Sequence, residues 1–125
     1  MGVCRGIRGA ITAEANTKAA ILRATKRLLQ QLVTANELRP EDLAAAMFTT
    51  TRDLNAEFPA VAARQMGWDH VALLCSHEMD VPDALASCIR VLLLVNTEKA
   101  PEELVYVYLD GARSLRDRGT EGREG

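Results

Sequence analysis

Arg90 is the residue most out of place in this sequence. It stands in Cys88-Ile89-Arg90-Val91-Leu92-Leu93-Leu94-Val95, a run otherwise apolar on both faces of a strand. A charge buried without a partner is very costly, so an arginine there must meet a counter-charge. Two readings follow: a structural ion pair with Glu78 or Asp80, or a fixed guanidinium turned toward an anionic ligand. Arg8 is the second anomaly, set among glycines in Gly6-Ile7-Arg8-Gly9-Ala10. Glycine beside a charged strand residue lets backbone or ligand approach closely, although an ordinary edge-strand arginine would read the same way. Glu78 follows directly on the β-prone run 71–77. Alone, it reads as a solvated carboxylate at a strand end. With two strand arginines it outlines a pocket for a small polyanion with one acidic wall.

Other reactive side chains carry less. Cys75 reads as a small buried thiol, since nothing beyond nearby His77 suggests a Cys/His framework. Cys75, His77 and His70 have no recognised metal-ligand spacing, so no metal is expected. P-loop, GxGxxG, HExxH and GxSxG patterns are missing from the sequence. The cysteines Cys4, Cys75 and Cys88 are odd in number and form no CxxC pair, which fits reduced thiols in a cytoplasmic protein. Net charge is -2 and the only aromatics are Phe48, Phe58, Trp68, Tyr106 and Tyr108. That combination argues against a nucleic-acid partner, which would call for a basic excess and stacking rings. No apolar run approaches the roughly 18 residues of a membrane helix, so no membrane partner is expected. Arg5 and Arg8 interrupt any signal-peptide core, and Gly6 breaks a myristoylation pattern.

The elements that would position these residues follow from periodicity. At 125 residues, 48% apolar and 26% charged, the chain has the composition of one globular domain with a core of its own. Residues 3–12 form a β-type run. Val3, Arg5, Ile7, Gly9 and Ile11 share one face; Cys4, Gly6, Arg8 and Ala10 share the other. Thr17 then caps a helix whose Ala20, Ile21, Ala24, Leu28, Leu32 and Val33 recur at helical spacing, with Asn36 as its C-cap. Glu41–Ala46 is expected as a short helix and Met47–Thr51 as a strand. Pro59 opens a helix that Gly67 stops, with Phe58 as its hydrophobic staple or as a pocket wall. Strands follow at 71–77 and 88–96, with a turn around Pro82 between them. Pro101 starts a last helix carrying Leu104, Val107, Tyr108 and Ala112, on which Tyr106 and Tyr108 diverge. The fold class is α+β: one mixed sheet with helices packed on it, in the order β-α-α-β-α-β-β-α. The domain is expected to span 1–116, with 117–125 a flexible polar tail.

Taken in order, the segments resemble the monofunctional chorismate mutases of the trimeric α/β type. The matching pieces are Arg5-Gly-Ile-Arg-Gly-Ala10, Asp53-Leu54, Phe58-Pro-Ala60 with Arg64, and Cys75 with Glu78-Met-Asp-Val81. They continue with Cys88-Ile-Arg-Val91, Val107-Tyr-Leu109 and Leu115-Arg116. Each is weak alone, but the ordered set is specific and spans residues 3–116. The resemblance implies a homotrimeric pseudo-barrel with active sites at the subunit clefts. It also implies the Claisen rearrangement of chorismate to prephenate, on the route to phenylalanine and tyrosine. By the same resemblance Arg90 and Glu78 are catalytic, and Arg8, Leu74, Cys75 and Tyr108 line the pocket from one subunit. Phe58 and Arg64 come from its neighbour, and Leu115 and Arg116 close the mouth. Two positions depart from the family pattern: Val61 where a lysine is frequent, and Leu74 where a threonine is frequent.

The residue chemistry suits that reaction. A [3,3] rearrangement needs no nucleophile, proton transfer or cofactor, only a folded conformer held for bond exchange. Charge that grows along the reaction is what a fixed arginine and a fixed carboxylate stabilise. The competing readings are a trimeric carboxylate-binding protein of the imine deaminase kind and a regulatory subunit. Glu78, Tyr108 and Cys75 beside Arg90 favour the mutase.

Overall fold

The computed structural model describes residues 2–117, the last two by backbone only. The elements are β1 (Val3–Thr12), α1 (Lys18–Asn36), β2 (Leu43–Thr50), α2 (Ala60–Gln65), β3 (Ala72–His77), β4 (Cys88–Thr97), β5 (Val107–Leu109) and α3 (Arg113–Asp117). They form a five-stranded sheet in the order β3-β2-β4-β1-β5. β4 runs antiparallel to both β1 and β2, whereas β3 and β5 add in parallel at the two edges. This is the mixed sheet that the periodicity predicts.

One face of the sheet is covered by helix. Ile7 and Ile11 of β1, Phe48 of β2, and Ile89, Val91, Leu93 and Val95 of β4 are buried there with Ile21, Leu28 and Leu32 of α1. Gly9 lets α1 come this close: a Cβ at that position would sit 2.9 Å from Leu32 Cδ1 and 3.1 Å from Leu28 Cδ1. The other face is largely open within one chain. Arg90, Leu92 and Leu94 of β4 are half-buried, and Met47 and Leu74 are exposed. Among the described residues one end of it is covered, where Ala10, Cys88, Tyr108, Ala112 and Leu115 form a second small cluster beneath α3.

Several local expectations hold. Thr17 Oγ1 accepts the Ala20 N–H at 3.1 Å, and Gly67 adopts φ 89° just past α2. Three do not. Residues 41–46 are not a helix: a single 3₁₀ turn, Pro40–Asp42, leads straight into β2. The small residues there favour helix locally, but pairing with β4 on one side and β3 on the other overrides that preference. Asn36 is not the cap of α1. Glu37 takes the left-handed position at φ 53°, and Asn36 is buried, its amide clamping Val105 N and O at 2.8 Å each. The expected last helix is a 3₁₀ turn, Pro101–Glu103, followed by β5 paired with Gly9–Ile11. Tyr106 and Tyr108 therefore do not diverge around a helix, and both pack against the cluster beneath α3. The expected tail beyond Asp117 lies outside the described residues.

Candidate active site

Strand register assembles the site. Tyr108 pairs with Ala10, Ala10 with Arg90, Arg90 with Thr49, and Thr49 with Ser76. These five residues form one row across all five strands. Alternation and burial place the row on the face opposite α1 and α2. Ala10 stands between Tyr108 and Arg90 in the row and is packed with Tyr108 and Cys88. Glu78 lies one residue past β3, where its N–H donates to Thr50 O at 2.8 Å and extends the ladder. Its carboxylate turns back over the row: Thr49 Oγ1 donates to Glu78 Oε2, and Arg90 Nε stands 3.6 Å from the same oxygen. Both partners of this ion pair are 28% exposed, so it is neither fully desolvated nor free in water.

Arg8 belongs to the adjacent row on the same face, Arg8–Leu92–Met47–Leu74. The structure thus brings together Arg8, Glu78, Arg90 and Tyr108, as the sequence anticipates, and sets Leu74 at the β3 end of Arg8's row. Leu115 does not hang free in a tail. It is 3% exposed and packs over the Tyr108 end of the site with Ala10, Cys88 and Ala112. Arg116 follows in the same helix, and its side chain lies outside the described residues.

Three expected residues are not gathered there within one chain: Cys75 by its side chain, and Phe58 and Arg64, which the resemblance assigns to a neighbouring subunit. The Cys75 side chain faces the helix-covered core, because it pairs with Phe48 on the opposite set of strand positions. Burial pushes its thiol up, partly offset by the Ala60 N–H and the Arg64 charge. Phe58 and Arg64 are exposed, Phe58 before α2 and Arg64 within it, on the α2 side of β3. Phe58 lines a cavity of about 280 Å³ with Leu54, Cys75 and His77, and neither Arg90 nor Tyr108 reaches it. His77 and His70 are engaged elsewhere, with Thr50 and the Pro40 carbonyl respectively.

A network that the sequence reading did not find braces β4 from behind. Asp53 Oδ2 accepts the Ser87 N–H at 2.9 Å, Thr51 Oγ1 donates to Asp53 Oδ1, and Thr51 Oγ1 accepts the Cys88 N–H at 3.0 Å. The Thr51 hydroxyl, with the Ser87 N–H and hydroxyl, holds the Asp53 carboxyl below the usual carboxylate range. Ser87 is thereby kept at φ 53°, the turn from which Cys88, Ile89 and Arg90 emerge in register. The Asp-x-Ser separation of 34 residues carries no local signal, so only the folded chain reveals it.

The family model for chorismate mutase type I matches residues 4–118. Chorismate mutase AroH of Bacillus subtilis (strain 168) is 42% identical over 113 residues, covering 90% of this chain and 89% of that protein. AroH of Thermus thermophilus is 49% identical over 113 residues, covering 90% and 93%. A solved chorismate mutase from Clostridium thermocellum superposes with a TM-score of 0.88 at 46% identity, over 89% of this chain and 99% of that one. A match along nearly the whole length, joined to an arginine–carboxylate pair on the sheet face opposite α1, leaves one assignment: the chain belongs to the chorismate mutase type I family.

Proposed function

We propose that Arg90 and Glu78 carry the chemical step of this chain's chorismate mutase activity, the rearrangement of chorismate to prephenate. The observation that supports this is the row Tyr108–Ala10–Arg90–Thr49–Ser76 with Glu78 folded over it. In the rearrangement the C–O bond breaks ahead of C–C bond formation. The ether oxygen gains negative charge while the ring fragment becomes positive. A guanidinium on β4 and a carboxylate 3.6 Å away, just past the end of β3, are suited to meet those two charges. Because the charges grow only along the reaction, the interaction is stronger in the transition state than in the bound substrate, and so raises kcat. The Arg90–Glu78 contact keeps each side chain turned toward the cleft before substrate enters.

Arg8, one row away, holds a substrate carboxylate, and the Tyr108 hydroxyl donates to a second one. Cys75 and Leu74 contribute through the backbone. β3 is an edge strand, so its outer main-chain groups have no ladder partner within the described sheet. Phe58 and Arg64, on the other side of β3, reach an Arg90 cleft only from a neighbouring copy. Leu115 and Arg116 close the Tyr108 end.

This division of the pocket requires an oligomer, and we read it as a homotrimer. Met47 at 42% exposure and Leu74 at 61%, beside half-buried Leu92 and Leu94, form an apolar area that the described residues of one chain leave uncovered. Among the described residues no cysteine is in a disulfide, which suits a reducing cytoplasmic location. The test is loss of chorismate absorbance on adding purified protein, with light scattering on the same sample. Consumption of chorismate by a trimer is expected. A folded trimer that consumes none would overturn the catalytic reading, and a fully active monomer would overturn the shared cleft.

A further inference from the structure

We propose that Thr49 is a positioning residue for the rearrangement, fixing which oxygen of the Glu78 carboxylate faces the substrate. The inference rests on the role given to Glu78 above. Glu78 sits just beyond the last residue of β3, where strand pairing ends. Consecutive residues of β2 hold it at two points: Thr50 O accepts its N–H, and Thr49 Oγ1 donates to its Oε2. Arg90 Nε stands 3.6 Å from the same Oε2, a charge contact, so the Thr49 hydroxyl supplies the hydrogen bond that fixes this oxygen. With Oε2 taken by Thr49, Oε1 is the oxygen left for a ligand.

The arrangement answers a physical difficulty. A glutamate has three side-chain rotors, and ordering such a side chain costs conformational entropy. Left to Arg90 alone, the carboxylate would settle into a closer, two-oxygen pair with the guanidinium. That would neutralise both charges needed for the reaction. Thr49 prevents this by its place in the row, between Arg90 on one side and the strand leading to Glu78 on the other. Its β-branch suits it to the task, since β-branched side chains are stiff at χ1 and the hydroxyl is held in one direction. A serine would present the same donor with more freedom, and a valine would keep the shape without the donor.

The experiment compares Thr49→Val and Thr49→Ser, each in the wild-type and the Glu78→Gln background, by steady-state kinetics and thermal melts. In the wild-type background Thr49→Val should lower kcat on the order of tenfold, the worth of a hydrogen bond to a charged group. KM should change far less, because the substrate's carboxylates are held by other residues. Thr49→Ser should recover most of the loss. In the Glu78→Gln background Thr49→Val should add little, because the charge that it positions is already gone. A wild-type kcat in Thr49→Val, with Glu78→Gln impaired, would overturn the proposal alone. So would an equal loss in both backgrounds, which would mark a general packing effect. A Glu78→Gln enzyme with undiminished kcat would instead remove the role of Glu78 itself.

Discussion

Replacing Arg90 by alanine separates electrostatic catalysis from substrate anchoring, and the structure sets the size of each effect. Arg90 is 28% exposed, and its described counter-charge is Glu78, 3.6 Å away. After Arg90→Ala, Glu78 still accepts from Thr49 and still meets solvent, so no buried charge is stranded. The stability cost is therefore about 1–2 kcal/mol, a charge-assisted contact rather than a buried ion pair torn open. That is a fall of a few degrees in Tm, leaving folded protein to assay. The kinetic cost is larger. Loss of one preorganised oxyanion donor lowers kcat by about 10²–10³, and here a full positive charge is lost with the donor. Were Arg90 only an anchor for a substrate carboxylate, KM would rise and kcat would stand. Arg90→Lys keeps the charge but not the planar fork or its reach, so it too should be badly impaired. The assay is single-turnover conversion of saturating chorismate by folded, oligomeric Arg90→Ala protein. A rate near that of the wild type would refute a role for Arg90 in bond exchange.

Met47→Glu puts a charge at the centre of the open sheet face, at a site 42% exposed in one chain, so it should leave the fold intact but disperse the oligomer. Light scattering should then report monomers with little activity, and an active trimer would refute the interface. Leu115→Ala should cost about 2–3 kcal/mol, felt as local undocking of α3 from Tyr108, and should raise KM more than it lowers kcat; the reverse pattern would place Leu115 in the chemical step. Burial pushes the Cys88 thiol up to about 11 against the pull of Arg90, so the unfolded chain releases this proton from about pH 9 while the folded chain keeps it. Stability should therefore fall between pH 9 and 11 by roughly 2–3 kcal/mol, a loss that Cys88→Ala should flatten in melts recorded across that range.

Which of these features the sequence discloses depends on whether the signal is local. Arg90 and Arg8 are legible because a charge in an apolar strand contradicts its surroundings, and β4 and α1 are legible because their patterns are long. β2 is legible only in its second half. Leu43 to Ala46 has the local preference of a helix, and its extended form comes from partners more than 25 residues away. Tyr108 is assigned to the pocket by resemblance, while its own spacing points to a helix that does not form. Its strand is three residues long and held by β1. Cys75 shows the converse limit. It is three residues from Glu78 in sequence, yet strand alternation turns its thiol to the other face of the sheet. Thr49 carries no signal at all, since a threonine in a strand is ordinary until the register puts it beside a carboxylate.

The same register links the chemistry to the fold. A slip of one residue between β4 and its neighbours would send Arg90 to the face packed by α1. There it would lie among Ile7, Ile11, Leu28 and Leu32, far from Glu78, and a buried unpaired charge costs several kcal/mol. The slip would also bring Ile89 or Val91 onto the open face and uncover core area. Arg90 therefore opposes the wrong pairing of the strand that carries it, and the Asp53–Ser87 brace fixes the point from which that strand starts. A reaction without proton transfer asks its enzyme chiefly for charges held in fixed places. Here the fixity comes from a row of strand pairings running from Tyr108 to Ser76, while Glu78, just past β3, is steered by the Thr49 hydroxyl. The most vulnerable part of the site is thus the residue just past the end of the sheet, not the arginine within it.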